Sequence, residues 1–288
     1  MIRISNHYIS AEFSTIGAQL TRLSDGTHEY LWSGNPAFWR FQAPILFPIV
    51  GRLKNDQYTF NGNTYKMHQH GFARESEFKL IKLDEQQVTF GLTDNAQTTQ
   101  NYPFKFKLTV TYTLNKETIM VNYQVMNPGS DELLFSIGAH PAFNMSLDSR
   151  SDFDRVKLQV SPAAKFERIK LVGPYSDIKH PEQIDLTNPL TIKRSLFDND
   201  AIILNLHSQP VKMGLINSSE HGVEIKLTNS PYVGVWSPFP KNAPFICIEP
   251  WWGIADNVDS TGNFSQKMGI NRLSSHEQFD AGYSIKLI

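Results

Sequence analysis

The feature that most constrains this chain is a two-residue alternation of apolar and polar side chains. Phe106, Leu108, Val110, Tyr112 and Leu114 are interleaved with Lys107, Thr109, Thr111 and Thr113, a period that puts the apolar set on one face of an extended strand and the polar set on the other. The pattern stops at Asn115-Lys116-Glu117, resumes at Ile119, Val121, Tyr123 and Val125, and ends at Asn127-Pro128-Gly129. This reads as a β-hairpin followed by a turn. Further short strands are expected over 88–92, 155–160, 202–206, 223–227, 232–236 and 284–288, while 174–189 reads as a loop-like insertion. Pro (16 residues) and Gly (17 residues) punctuate the chain throughout, and no long amphipathic helical pattern interrupts the strands. The expected fold is therefore all-β, a large antiparallel sandwich or barrel-like assembly. No linker, low-complexity run or repeat divides residues 1–288, so a single domain is expected.

Charge narrows the partners. Lys plus Arg number 27 against 28 Asp plus Glu, a net charge of −1, so there is no basic field to attract nucleic acid or an anionic membrane. Small, neutral or weakly charged molecules fit better. A lone cysteine, Cys247, excludes a disulfide framework and suits a reducing cytoplasm. The N-terminal residues 1–7 show no apolar core of signal-peptide length and no stretch approaches a membrane span, so a soluble cytoplasmic protein is expected. Oligomeric state is not legible at this level.

Four segments carry groups capable of chemistry. In Pro244-Phe245-Ile246-Cys247-Ile248-Glu249-Pro250-Trp251-Trp252-Gly253, one carboxylate stands in an apolar, aromatic run. Burial disfavours its ionised form and makes Glu249 a better proton acceptor near neutral pH. A buried acid paired with an arginine is the equally plain alternative. His140, in Gly138-Ala139-His140-Pro141, follows an apolar strand and precedes a proline, as Glu249 does, and the residue before proline is held extended. Two titratable groups, each at the end of an apolar strand and fixed by proline, read together as a preorganised acid and base. Arg52 closes the run Pro44 to Gly51 and presents a planar multi-donor at a turn. His68, His70 and Arg74 lie in His68-Gln69-His70-Gly71-Phe72-Ala73-Arg74; the two histidines have no companion ligands at metal-binding spacing, so no metal is expected. Nucleophile elbows and phosphate-cradling glycine loops are missing from the sequence, and Cys247 sits too deep in an apolar strand to act as an activated thiol.

Taken in order, Gly51-Arg52, His70-Gly71-Phe72-Ala73-Arg74, Gly138-Ala139-His140-Pro141-Ala142-Phe143-Asn144, Asp200 in Phe197-Asp198-Asn199-Asp200-Ala201 and Glu249-Pro250-Trp251-Trp252-Gly253 resemble the aldose 1-epimerase (mutarotase) family, and within it the LacX-type branch. The resemblance spans nearly the whole chain. It implies a galactose mutarotase-like β-supersandwich with a sugar cleft across a concave sheet face. It also implies Glu249 as general base and His140 as general acid, with His70, Arg52 and Asp200 positioning the sugar and no cofactor. Asp198 competes with Asp200, because strand alternation would put both on one face. The chain departs from the better-known galactose mutarotases at Gly51, Ala142 and Glu249-Pro250-Trp251, which bears on sugar specificity. A related branch acts on hexose 6-phosphates through arginines near the motif that ends here in Arg74, and Lys54 would add a third cation. Trp236, Trp251 or Trp252 would stack on the apolar face of a pyranose. The expected function is anomer interconversion of a free hexose; the alternatives are a hexose-6-phosphate mutarotase and a non-catalytic carbohydrate-binding protein on the same fold.

Overall fold

A computed structural model describes residues 2–145 and 153–288. The alternation noted above becomes the hairpin Lys107–Asn115 and Thr118–Met126, in register from Asn115↔Thr118 to Lys107↔Met126. Leu108, Val110, Tyr112 and Leu114 are buried, and the interleaved polar residues are partly or fully exposed. This hairpin is central to a nine-stranded antiparallel sheet ordered Leu190–Thr191, Lys157–Ser161, Val211–Ile216, Gly222–Leu227, Gln278–Leu287, Thr118–Met126, Lys107–Asn115, Gln87–Thr93 and Lys79–Leu83.

A second large sheet packs against it. Its order is Tyr175–Asp185, Lys165–Val172, Ile202–Asn205, Tyr232–Trp236, Phe245–Trp252, Ile137–Ala139 and Ile45–Leu46, with Ala142–Asn144 also paired to Phe245–Trp252. Side chains from both sheets merge into one hydrophobic core. Tyr123 of the first meets Trp252 of the second edge to face, 6.3 Å between ring centroids. Small sheets, Ile2–Ser5 with Ser10–Phe13 and Leu20–Ser24 among them, complete the molecule. No helix of the described residues is long and apolar enough to cross a membrane.

The strand Phe245–Trp252 is buried on both faces. Ile246, Ile248 and Trp252 enter the inter-sheet core, while Phe245, Cys247 and Trp251 join apolar clusters on the opposite face. Glu249 does not end this strand, contrary to expectation. The strand runs on through Pro250, which lies opposite Val233. What makes a proline tolerable in so central a strand is a gap in the neighbouring ladder. Gly138 pairs with Trp251 and Ala142 with Cys247 in one continuous register, yet no bridge joins the residues between them. There Pro141 and Pro250, each without an N–H, interrupt the pairing. His140 instead donates its amide to Pro44 O at 3.1 Å.

Two other expectations change. Residues 174–189 are mostly strand: Tyr175–Asp185 forms an eleven-residue edge strand against Lys165–Val172. Its polarity concealed it, because an edge strand exposes most of both faces and accepts Pro181 at no cost to a ladder. The C-terminal strand begins at Gln278, six residues before 284.

Close backbone packing around Phe47 rests on Gly71, whose φ is +71° and whose Cβ, if present, would lie 2.3 Å from Phe47 O. Gly71→Ala combines left-handed strain with a backbone clash, and is expected to destabilise by more than about 2 kcal/mol. Gly62→Ala, at φ +79° with nothing within 4 Å, should cost only about 1 kcal/mol. Urea unfolding midpoints compare the two; equal midpoints would contradict this account of Gly71.

Candidate active site

On the face of the second sheet away from the main core lies a cavity of about 440 Å³. Its floor is built by the gapped register. Extending that register through the gap puts His140 directly opposite Glu249, with both side chains on the cavity face. His140 Nε2 stands 3.1 Å from Glu249 Oε2, and both residues are almost wholly buried. Trp251, two residues on, turns to the same face and covers glycines of both flanking strands. A Cβ on Gly138 or Gly234 would approach its indole to 2.9 or 2.8 Å. Trp252 faces the opposite way, donates its indole N–H to Asn229 Oδ1 and belongs to the core, so it is no sugar platform.

A ring nitrogen and a carboxylate oxygen 3.1 Å apart are within hydrogen-bond reach, so a proton on either atom can be donated to the other. Desolvation drives the two groups in opposite directions. It pushes the Glu249 carboxyl well above its usual range, helped by Asp200 and opposed by the Trp251 indole, which lies near without making a well-formed hydrogen bond. It pushes His140 down to about 3, with the Arg74 charge adding to the fall. The buried pair is thus a one-proton unit.

His70 completes the floor, edge-on to His140 with ring centroids 5.6 Å apart. Its backbone adopts φ +68°, a strained conformation for a side-chain-bearing residue, held by its N–H to Gly51 O and its carbonyl to Phe47 N. Gly51 N–H donates to His70 Nδ1 at 3.1 Å. Burial, then His140, Arg74 and Arg52, lower its pKa well below 6.5, so the ring is neutral. Its proton is assigned to Nε2 because Nδ1 is an acceptor. His68, by contrast, is exposed, and among the described residues the two histidines belong to no metal-ligand cluster.

One wall is cationic. Arg52 Nη2 donates to Gln69 Oε1 at 3.3 Å, and its Nε lies 3.6 Å from Asp56 Oδ1. Arg74 Nη2 donates to Gln69 O at 2.9 Å, and its guanidinium sits 4.9 Å from the centroid of Phe41. Both Nε atoms are buried without a hydrogen-bond partner. Glu75, a natural partner for Arg74 by sequence, pairs with Arg40 instead. Lys54 takes no part: its Nζ donates to Val258 O and Ser260 O.

Asp200 and Asp198 both line the cavity, but not through strand alternation. They lie in a turn after the short 3₁₀ helix Arg194–Phe197, with Asp200 at φ +69°. Desolvation raises the Asp200 pKa, against the pull of the Ala201 amide and the Trp236 indole. The cavity thus gathers Glu249, His140, His70, Arg52, Arg74, Asp200 and Trp251. It also takes in residues that sequence reasoning did not single out, notably Trp39, Gln69 and Phe239. Trp39 packs against the His140 ring at 4.6 Å, and Trp236 meets it edge-on at 5.5 Å. The aromatic run Phe38-Trp39-Arg40-Phe41, too dense for a surface loop, was the available signal.

The one-proton pair has a definite titration. Below about 3 His140 takes up a second proton, and only above the raised Glu249 pKa is the last proton lost. Nitrogen NMR of the His140 ring should therefore stay unchanged between pH 4.5 and 6.5, the ordinary Glu and His values. A midpoint inside that interval would show that the groups titrate independently.

Comparison with known proteins places the chain in a family. A family model described as aldose 1-epimerase matches residues 1–267. Protein LacX (plasmid) of Lactococcus lactis subsp. lactis is 32% identical over 301 aligned residues, covering 100% of this chain and 99% of the relative. The crystal structure of a galactose mutarotase related enzyme from Lactobacillus acidophilus superposes with a TM-score of 0.96 at 35% identity, covering 99% of this chain and 96% of that one. A galactose mutarotase-like protein from Lactobacillus casei gives 0.91 at 32% identity, with 100% of both chains covered. A galactose 1-epimerase from Lactobacillus acidophilus, at 16% identity and a TM-score of 0.72, shares the fold. The chain belongs to the aldose 1-epimerase family of carbohydrate isomerases.

Proposed function

We propose that this protein interconverts the α and β anomers of a hexose in the cytoplasm, with Glu249 as general base and His140 as general acid. The observation that carries this reading is the buried contact at the floor of an aromatic-walled cavity, His140 Nε2 to Glu249 Oε2 at 3.1 Å. Before a sugar binds, desolvation favours the proton on Glu249. The working form is the other tautomer, with the proton on His140 and Glu249 ionised, drawn out when the sugar hydroxyls and ring oxygen engage the pair. Glu249 takes the proton of the C1 hydroxyl, His140 delivers its proton to the ring oxygen, and the C1–O5 bond breaks to leave the open aldehyde. The pair still holds one proton, now on Glu249. Rotation about C1–C2 and the reverse transfers close the ring on the other face and restore the starting state. No solvent proton enters the cycle. The His70 Nε2–H supports the developing charge near the ring oxygen, Asp200 accepts sugar hydroxyls, Arg52 donates to them, and the Trp251 face packs on the pyranose.

Glu249→Gln keeps the shape and removes the proton acceptor, so turnover is expected to fall by about 10²–10⁴-fold with binding retained. His140→Asn should lose more turnover than His70→Asn. Polarimetry on pure anomers measures both. Glu249→Gln retaining more than about a tenth of wild-type turnover would remove Glu249 as the base, and a reversed histidine order would exchange the two roles.

A hexose 6-phosphate is the second reading, favoured by one observation: Arg52 and Arg74 meet at Gln69 on one wall, and neither Nε atom makes a hydrogen bond. A phosphate there would gain charge-assisted bonds. Under that reading Arg74→Ala raises the KM for the phosphate by about tenfold or more, at roughly 1.5–3 kcal/mol per charged hydrogen bond, and leaves free hexose little changed. Equal KM changes for both sugars would assign Arg74 to the free-sugar site or to structure.

A further inference from the structure

Cys247 has no part in the chemistry above, yet it stands beside it. Two residues before Glu249, it faces the same side of strand Phe245–Trp252 and pairs across to Ala142. Its Sγ, a His140 ring nitrogen and a Glu249 carboxylate oxygen all lie within 4.8 Å of one another, and all three side chains are buried. Among the described residues no other group of three brings ligand atoms together in this way. Thiolate, imidazole and carboxylate are zinc ligands, and three protein ligands leave one tetrahedral position open. The 3.1 Å between His140 Nε2 and Glu249 Oε2 is close to the ~3.3 Å that two ligands span on a tetrahedral ion with ~2.0–2.1 Å bonds.

We propose that His140, Cys247 and Glu249 form a binding site for a soft divalent cation, zinc or cadmium, entered from the cavity and inhibitory in its effect. Sulfur selects such ions over magnesium or calcium. Coordination displaces the thiol proton and the proton shared by His140 and Glu249, and it occupies the lone pairs that proton transfer needs. The open fourth position faces the cavity, where His140 and Glu249 are both reachable. The site itself does not depend on the proposed epimerase chemistry; only its inhibitory consequence does.

Cadmium titrated into the chelator-treated full-length protein tests the site directly. The expected result is a thiolate-to-metal charge-transfer band that saturates at one ion per chain and is absent from Cys247→Ala and Cys247→Ser. Calorimetry should show affinity weakened at least about tenfold in both variants, since loss of an outer-shell partner alone costs 10–100-fold. In the anomer assay, zinc should inhibit the wild type and a chelator should restore it, while Cys247→Ala keeps basal turnover and tolerates at least about ten times more zinc. A missing band, or equal affinity in wild type and Cys247→Ala, overturns the site. A band without loss of turnover overturns the inhibition. If no sugar is turned over at all, the band still decides whether the site exists.

Discussion

The contact between His140 and Glu249 is the constraint on which the site depends, and it arises from strand register. Pairing of Phe245–Trp252 with the broken strand 137–144 holds on either side of the two prolines. The gap leaves the two residues facing each other with their side chains on the cavity side. A regular ladder would have made the same positions an ordinary cross-strand pair. Here Pro141 and Pro250 take the backbone out of the pairing, and His140 is tied to Pro44 on its other side. Geometry fixed at this level does not depend on a loop closing.

Electrostatics follow from that placement. A lone carboxylate at the centre of a doubly buried strand is strongly disfavoured, and removing either partner of a buried pair leaves the other uncompensated. Sharing one proton lowers the cost for both, because neither tautomer leaves a single unpaired charge. The same desolvation raises Glu249 and lowers His140, so it favours the tautomer with the proton on Glu249 over the ion pair. Above this floor the cavity is lined by both cations and carboxylates, Asp198 and Asp200 among the latter. Arg52 and Arg74 occupy one wall, Asp200 has a raised pKa, and the chain as a whole is almost neutral. The gathering of Arg52 and Arg74 at Gln69 is invisible in the net charge, which is why composition spoke only against nucleic acid and membranes.

Much of this was legible in the chain. The alternation over 106–125 marked a hairpin that the structure contains, because one face of it packs on a core and the other meets solvent. The apolar setting of Glu249 and the Gly-Ala-His-Pro run pointed to the two residues that meet on the floor. Their 3.1 Å contact was not legible, since it depends on a register between segments more than a hundred residues apart. The edge strand Tyr175–Asp185 hid behind its exposed polar faces, and the turn that holds Asp198 and Asp200 read like a strand. Choosing Trp251 over Trp252 needed only the period of two counted from Glu249. Trp39 was signalled only by its aromatic run and Gln69 only by its place between His68 and His70, and both gained meaning when folding brought them to His140, Arg52 and Arg74.

The central claim is that this pair straddles the anomeric centre. A crystal structure of the Glu249→Gln variant with a hexose in the cavity tests it most directly. The account predicts the C1 hydroxyl within about 2.6–3.2 Å of the residue 249 amide oxygen and the ring oxygen at the same reach from His140 Nε2. A sugar seated with C1 against Arg52 and Arg74, away from both groups, would contradict it.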